Sequence, residues 1–433
     1  MAAEVLENRL VSLDVFRGMT IAGMVLVNNP GTWSAVYAPL QHATWHGITP
    51  TDFIFPFFLF IVGVAIPIAL GKRLAEGITK KVYWKILSRA AIIFGLGLFM
   101  AFFPVFKLSE SDLPMVVKAI GMLGILAGLY FWLTGKNREA VIAVVCILVL
   151  FLAFYLAGYT FFFNSFSTLR IPGVLQRIAV CYAVVSILFL HTNWRQLSVI
   201  GVCALLFYWL LMTIVPVPGC EVTTIDDKTC NLAAYLDRLI LTENHIWRQS
   251  KVYDPEGILS TIPACVTTIS GVLTGMWLKT DKSETEKVGG IFFFGIVLCA
   301  IGWVWNFFFP YNKSLWTSSY TVYTSGLALC FLGFCYWLID IKGYKVWAKP
   351  FVIFGMNALA LFVFSGLFAR FLSIIKVSDA DGKEISLQKW IFDNVFLSLA
   401  SPINASLMYA ISFILFWLFL MWLLYRRQIY IKV

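Results

Sequence analysis

The sequence predicts an all-α fold: a polytopic bundle of about twelve transmembrane helices (ten to twelve), with both termini on the cytoplasmic side. Three observations carry this. Of 433 residues, 60% are hydrophobic and only 13% charged, and the mean hydropathy is +0.83; a soluble core of this size cannot enclose so much apolar side chain. The apolar residues gather into long runs. Lys and Arg punctuate those runs and favour alternate gaps between them. An aromatic share of 17% suits lipid-facing helices with interfacial belts.

The runs fall at 10–29, 53–70, 86–105, 115–134, 140–159, 174–190, 197–215, 258–278, 290–309, 317–339, 350–374 and 405–425, each near the roughly 17–25 residues that a helix needs to cross ~30 Å of hydrocarbon. The start, "MAAEVLENRLVSLDVFRG", has no basic segment leading into an apolar core and a small-residue cleavage site, so the first run is expected to stay as a helix. "GKRLAEGITKKVYWK", "TGKNRE", "HTNWRQ", "KTDKSETEK", "DIKGYKVWAK" and "YRRQIYIKV" all fall on one side and all carry Lys or Arg, which makes that side cytoplasmic. The other side receives 28–52, 106–114, 160–173, the long 216–257 loop, 310–316 and 375–404. Cys220 and Cys230 lie in that long loop. A disulfide between them is the expectation in an oxidising compartment, with two free thiols as the alternative. Most of the other cysteines sit in apolar runs as small hydrophobes. The net charge of +10 is spread as loop punctuation rather than along a stripe, which argues against nucleic acid as a partner. No strong repeat stands out, so a single membrane domain over 1–433 is the simplest organisation.

Polar groups inside spans are costly and mark candidate sites, with helix packing as the plain alternative. Asp14 and Arg17 stand three apart in the first span, placed either for an intrahelical ion pair or for Arg17 to hold an anionic ligand. Arg177 in "RIPGVLQRIAV", Lys313 and Ser318 in "NKSLWTSSY", and Asn357 in "FGMNALALF" suggest the lining of a polar cavity. Asp254 and Glu256 in "YDPEGILSTIPA" admit two readings: carboxylates that bind substrate, or a helix start with Asp254 as N-cap and Pro255 in the first turn.

Two of the four histidines, His42 and His46, precede the second run in "HATWHGITPTDFIFP". With Asp52 nearby they could hold zinc, but no Glu follows the first His as in zincins, and Gly47 and Pro50 interrupt a helix. Proton chemistry suits an imidazole at the outer mouth better. Asn28 or Asn29, at the same depth, could then donate to a developing oxyanion.

Taken in order, "SLDVFRGMTIAGMVLVNNPG", "HATWHGITPTDFIFPFFLFIVG", "RIPGVLQRIAV", "YDPEGILSTIPA", "NKSLWTSSY" and "FGMNALALF" resemble the heparan-α-glucosaminide N-acetyltransferase family and its bacterial relatives over essentially the whole chain. The resemblance implies a multi-pass protein of the bacterial inner membrane, forming a homodimer, that carries an acetyl group from cytoplasmic acetyl-CoA to the amine of glucosamine or a glucosamine-terminated glycan across the bilayer. It needs no metal. It makes His42 the active-site histidine, with Asn28 as the asparagine that ends the first shared helix. Arg17, Lys85, Arg89 and Arg177 are then candidates for the CoA phosphates, with Lys313 and Ser318 along the cofactor's path; Trp45, His46, Asp52, Asp254 and Glu256 are candidates for the sugar. The family's animal members usually carry Asn where this chain has His46, which leaves acceptor identity open. A sugar transporter and an O-acyltransferase of envelope polysaccharide are the rival readings.

Overall fold

In the computed structural model, which describes residues 10–75, 77–107, 110–379 and 381–431, the predicted runs become helices in the predicted order. The helices are α1 (Val11–Asn28), α2 (Ile54–Ala75), α3 (Lys80–Phe102), α4 (Met115–Leu133), α5 (Asn137–Leu156), α6 (Val174–His191), α7 (Trp194–Ile214), α8 (Leu232–Leu241), α9 (Thr261–Leu278), α10 (Glu284–Trp305), α11 (Ser318–Cys335), α12 (Lys349–Met356), α13 (Ala358–Ile374), α14 (Leu387–Ile391) and α15 (Pro402–Arg426). Two short antiparallel ladders lie in loops: β1 (Phe106–Lys107) with β2 (Phe162–Phe163), and β3 (Lys376–Ser378) with β4 (Glu384–Ser386). Most of the reading of the extreme N-terminal stretch falls outside the described residues.

Among the described residues, eleven helices are long and apolar enough to cross a bilayer, and α12 with α13 would make a twelfth. This is a multi-pass membrane protein. One expected span departs from the sequence reading. The run at 350–374 is two helices meeting at 82°, with Asn357 at the break. There the amide Nδ2 donates to the Ile429 carbonyl at 3.1 Å, and Oδ1 accepts from the Ile431 N–H at 2.8 Å. The returning tail thereby uses the side chain that the sequence reading had assigned to a cavity.

The chain forms two compact units of interleaved sequence. The first takes in residues up to Thr20, His42–Leu98 and Ser167–Val352; the second takes in Ile21–Gln41, Phe99–Phe166 and the chain from Ile353 on. The first unit packs Phe16, Phe60, Ile61 and Val64 against Leu329, Leu332 and Ile339 in its core. One of its close helix pairs is α2 with α9. A Cβ at Gly63 would overlap the Thr268 carbonyl and crowd Gly271, and one at Gly271 would overlap the Phe60 carbonyl and crowd Gly63. The two backbones touch, as small residues allow in lipid. In the second unit Phe392, Ala405 and Tyr409 form a smaller cluster.

Because nothing soft fills the Gly63–Gly271 contact, Gly63→Ala is expected to lower stability by about 1–3 kcal/mol. It should appear as an earlier unfolding transition in detergent. Gly289→Ala, where a Cβ meets open space, should leave that transition unchanged or raise it.

Candidate active site

The segment Thr49-Pro50-Thr51-Asp52 enters α2 through a turn of 3-10 helix with Pro50 in its first turn. Asp52 folds back over it. Its Oδ2 accepts the Thr49 N–H at 3.1 Å, the Thr49 hydroxyl at 3.0 Å and the Ala43 N–H at 3.1 Å. Its Oδ1 lies 2.7 Å from His42 Nδ1, and Tyr320 donates to its backbone carbonyl at 2.6 Å. The carboxylate is fully buried, whereas the imidazole is about half exposed. A buried carboxylate beside Nδ1 holds the proton there, which leaves the lone pair on Nε2. Asp52 is therefore the partner that orients His42 rather than a sugar ligand; its lone pairs are already engaged.

Lys313 completes the group. It sits on a tight turn in which the Asn312 side chain accepts the Leu315 N–H at 2.9 Å, while the Thr317 hydroxyl accepts the Asn312 N–H at 3.1 Å. Its Nζ lies 3.2 Å from His42 Nε2, 3.0 Å from Nδ1 and 3.6 Å from Asp52 Oδ1. Burial lowers the pKa of its ammonium from the usual lysine value, against the pull of Asp52 and Glu256. The structure thus moves Lys313 from the cofactor's path to the imidazole itself.

The next loop residues are clasped by the 220–230 segment, which the Cys220–Cys230 disulfide closes. The Trp45 indole N–H donates to the Ile225 carbonyl at 2.9 Å, Lys228 lies over the Trp45 ring, and Tyr253 meets its edge. His46 Nε2 is 2.9 Å from Asp226 Oδ1, and Asn312 Nδ2 is 3.4 Å from its Nδ1. Gly47 lets the chain turn here at a φ of 103°, a conformation that side chains resist. Its N–H reaches the Tyr311 carbonyl at 2.8 Å.

Asp254 and Glu256 neither cap a helix nor stand free for a sugar. The helix α9 begins later, at Thr261, because the "YDPEG" turn is gripped from outside. Arg170 holds Asp254 with two bonds, at 2.8 and 2.6 Å, and reaches Glu256 with the same guanidinium. From α8, Asp237 accepts the N–H groups of Asp254 and Ile258, and burial pushes the Asp237 carboxyl up to about 6. Burial acts on Glu256 in the same direction, but the charges of Arg170, Arg177 and Lys313 prevail and hold it below the usual carboxylate range.

Arg177 joins the same turn. It is buried, bonds the Gly257 carbonyl and the Ser260 hydroxyl through Nη2 and lies over Trp316, so it braces this turn, while its Nε and Nη1 have no hydrogen-bond partner among the described residues. Ser318 is also fully buried and donates to the Leu205 carbonyl at 2.8 Å, a helix-packing bond rather than a cofactor contact. Lys85 and Arg89 are exposed on α3. Arg89 lies over Tyr182, at the middle of α6. Arg17 makes the intrahelical pair with Asp14 at 3.1 Å. Asn28 and Asn29 belong to the second unit. Asn29 is buried and donates to Val25, whereas Asn28 ends α1 with an exposed side chain.

The sequence reading missed Arg170 and the role of Asp52. Arg170 carried no signal, since its partners are more than eighty residues away. Asp52 did carry one: Thr-x-x-Asp ahead of an apolar run is a capping box, which turns the carboxylate back toward the preceding loop.

A family profile described as a domain of unknown function, DUF5009, matches residues 9–235, just over half of the chain. The chain belongs to the DUF5009 family. This DUF5009 protein is similar to the heparan-alpha-glucosaminide N-acetyltransferase of Mus musculus, 27% identical over 410 residues, with 82% of this chain and 53% of that protein covered. The Homo sapiens protein of the same name is 28% identical over 417 residues, covering 84% and 53%. The chain spans about half the length of the curated relatives it matches. Both relatives bear the family name that the motifs suggested.

If Arg170 compensates two buried carboxylates, Arg170→Ala should destabilise this DUF5009 protein by about 3–5 kcal/mol, the cost of stranding a buried charge. Arg170→Lys should recover only part of it, since one ammonium cannot make the paired bonds. Unfolding transitions of the three proteins in detergent measure both.

Proposed function

We propose that this chain is a transmembrane acetyltransferase that moves the acetyl group of cytoplasmic acetyl-CoA to the amine of glucosamine, free or terminal on a glycan, at the periplasmic face. The observation that carries this reading is the His42–Asp52 pair, with Nδ1 held at 2.7 Å on an imidazole that is about half exposed. A sugar amine is mostly protonated near neutral pH and becomes a nucleophile only when a base takes that proton. His42 takes it at Nε2. Asp52 fixes the ring and offsets the imidazolium charge, the role a buried carboxylate plays in hydrolase triads.

Distance along the helices supports the division of labour. Lys85 lies near the start of α3, where Tyr83 meets His191 at the end of α6, with Arg89 a turn further along α3 beside Tyr182, and these are the groups we assign to the CoA phosphates. His42, Asp52 and Lys313 precede α2 and α11, on the side where basic-loop topology puts the periplasm. A flexible pantetheine arm spans the interval, so no phosphate need cross. Direct attack by the amine and transfer through an acetyl-histidine intermediate both need an imidazole held by an orienting partner. Asp52 supplies that partner, and serves base and nucleophile alike.

Purified protein in detergent is expected to release CoA thiol from acetyl-CoA when glucosamine is added, and not when N-acetylglucosamine replaces it. His42→Ala should abolish release. Asp52→Asn should lower kcat by about 10²–10⁴ with a smaller change in KM, by analogy with an orienting aspartate. An unfolding transition recorded alongside shows whether the loop survives. Release with both sugars points to hydroxyl transfer, and release with neither removes the proposal.

A further inference from the structure

The proposed acceptor is a primary ammonium that must give a proton to His42 and then face a thioester carbon. The chain carries that same group in that place. Lys313 Nζ is 3.0 Å from His42 Nδ1, 3.2 Å from Nε2 and 3.6 Å from Asp52 Oδ1, with its side chain about a quarter exposed. The turn that presents it is held by Asn312 and Thr317, whose hydroxyl also donates to the Pro310 carbonyl at 2.9 Å. Trp316 beside it is fully buried and bonds the Thr267 hydroxyl at 3.2 Å. An anchored loop holds the amine near the base, and two reactants held that way react as if highly concentrated.

We propose that Lys313 is an acetylation site: its Nζ occupies the acceptor-amine position beside His42 and takes the acetyl group of acetyl-CoA when no sugar is bound. The inference rests on the acetyl-CoA reading above. In the step, His42 Nε2 removes one proton from the Lys313 ammonium. The freed lone pair on Nζ forms a bond to the thioester carbonyl carbon. The C–S bond breaks, and its electron pair leaves on the CoA sulfur, which takes up the second proton that Nζ loses. The proton on His42 passes to solvent. Lysine ammonium and acetyl-CoA thereby become acetyl-lysine, CoA thiol and one proton, with no further reactant.

The product is an amide, which does not pass its acetyl group on, so the modification ends turnover. It also removes the cation from the His42–Asp52 pair and leaves an acetyl group where the sugar amine would dock. Bound sugar protects Lys313 because the two amines compete for one place. Scarcity of acceptor alongside abundant acetyl-CoA would then switch the protein off.

The full-length protein in detergent is incubated with acetyl-labelled acetyl-CoA alone, digested and examined by mass spectrometry, while sugar acetylation is followed in a parallel sample. The expected result is time-dependent label on the Lys313 peptide, lost in Lys313→Arg and in His42→Ala and suppressed by glucosamine. Exposed Lys376 and Lys389 serve as internal controls for unassisted lysine chemistry. Label equal at those lysines and at Lys313, or undiminished in His42→Ala, overturns the inference. Protein that acetylates glucosamine but leaves Lys313 unmodified overturns it and leaves the proposed function intact; protein that does neither removes both.

Discussion

One buried carboxylate organises the first unit's chemistry. Asp52 closes the entry to α2 by accepting from Thr49, ties down Ala43, and holds His42 through Oδ1. Each bond is worth more in a site shielded from water than at a surface, and a carboxylate with most of its lone pairs engaged does not wander. The imidazole inherits that rigidity. Its tautomer and its orientation follow from a group that contributes no reacting atom under the proposal.

Charge balance around this pair explains its neighbours. A buried anion beside a base needs cations, and Lys313 provides one from the "NKSLW" turn. Lys313 in turn faces Glu256, which Arg170 shares with Asp254. Arg177 braces the same turn from α6 and stacks on Trp316. These residues belong to distant stretches of chain, but they form one network in which charges of opposite sign alternate. Removing any one member strands a partner in a low-dielectric setting, where an unpaired charge is most costly.

The 220–230 loop adds a second constraint. Its disulfide limits how far the loop can open, while Ile225 and Asp226 engage Trp45 and His46, three and four residues after His42. His46, a second imidazole four residues from His42, is thus joined to a carboxylate of its own. Proximity in sequence gave the two histidines equal standing, and their hydrogen-bond partners separate them.

Composition and periodicity were enough to establish a helical membrane protein and nearly all of its spans, because the length of an apolar run is a local property set by bilayer thickness. The ordered motifs were enough to pick out His42 and to name the family it resembles. Sequence alone placed Ser318 on the cofactor's path, left Asp254 between a helix cap and a sugar ligand, and put 350–374 in a single span. Those errors share a cause: a polar residue's partner lies far along the chain, and only folding decides whether its hydrogen bonds are filled. Ser318 faces the backbone of another element, Asp254 faces Arg170, and Asn357 receives the returning tail. Which apolar stretches cross the membrane was written in the chain itself; which polar groups stay open to a ligand was decided by tertiary structure, since satisfaction of a buried donor or acceptor is a property of its neighbours in space.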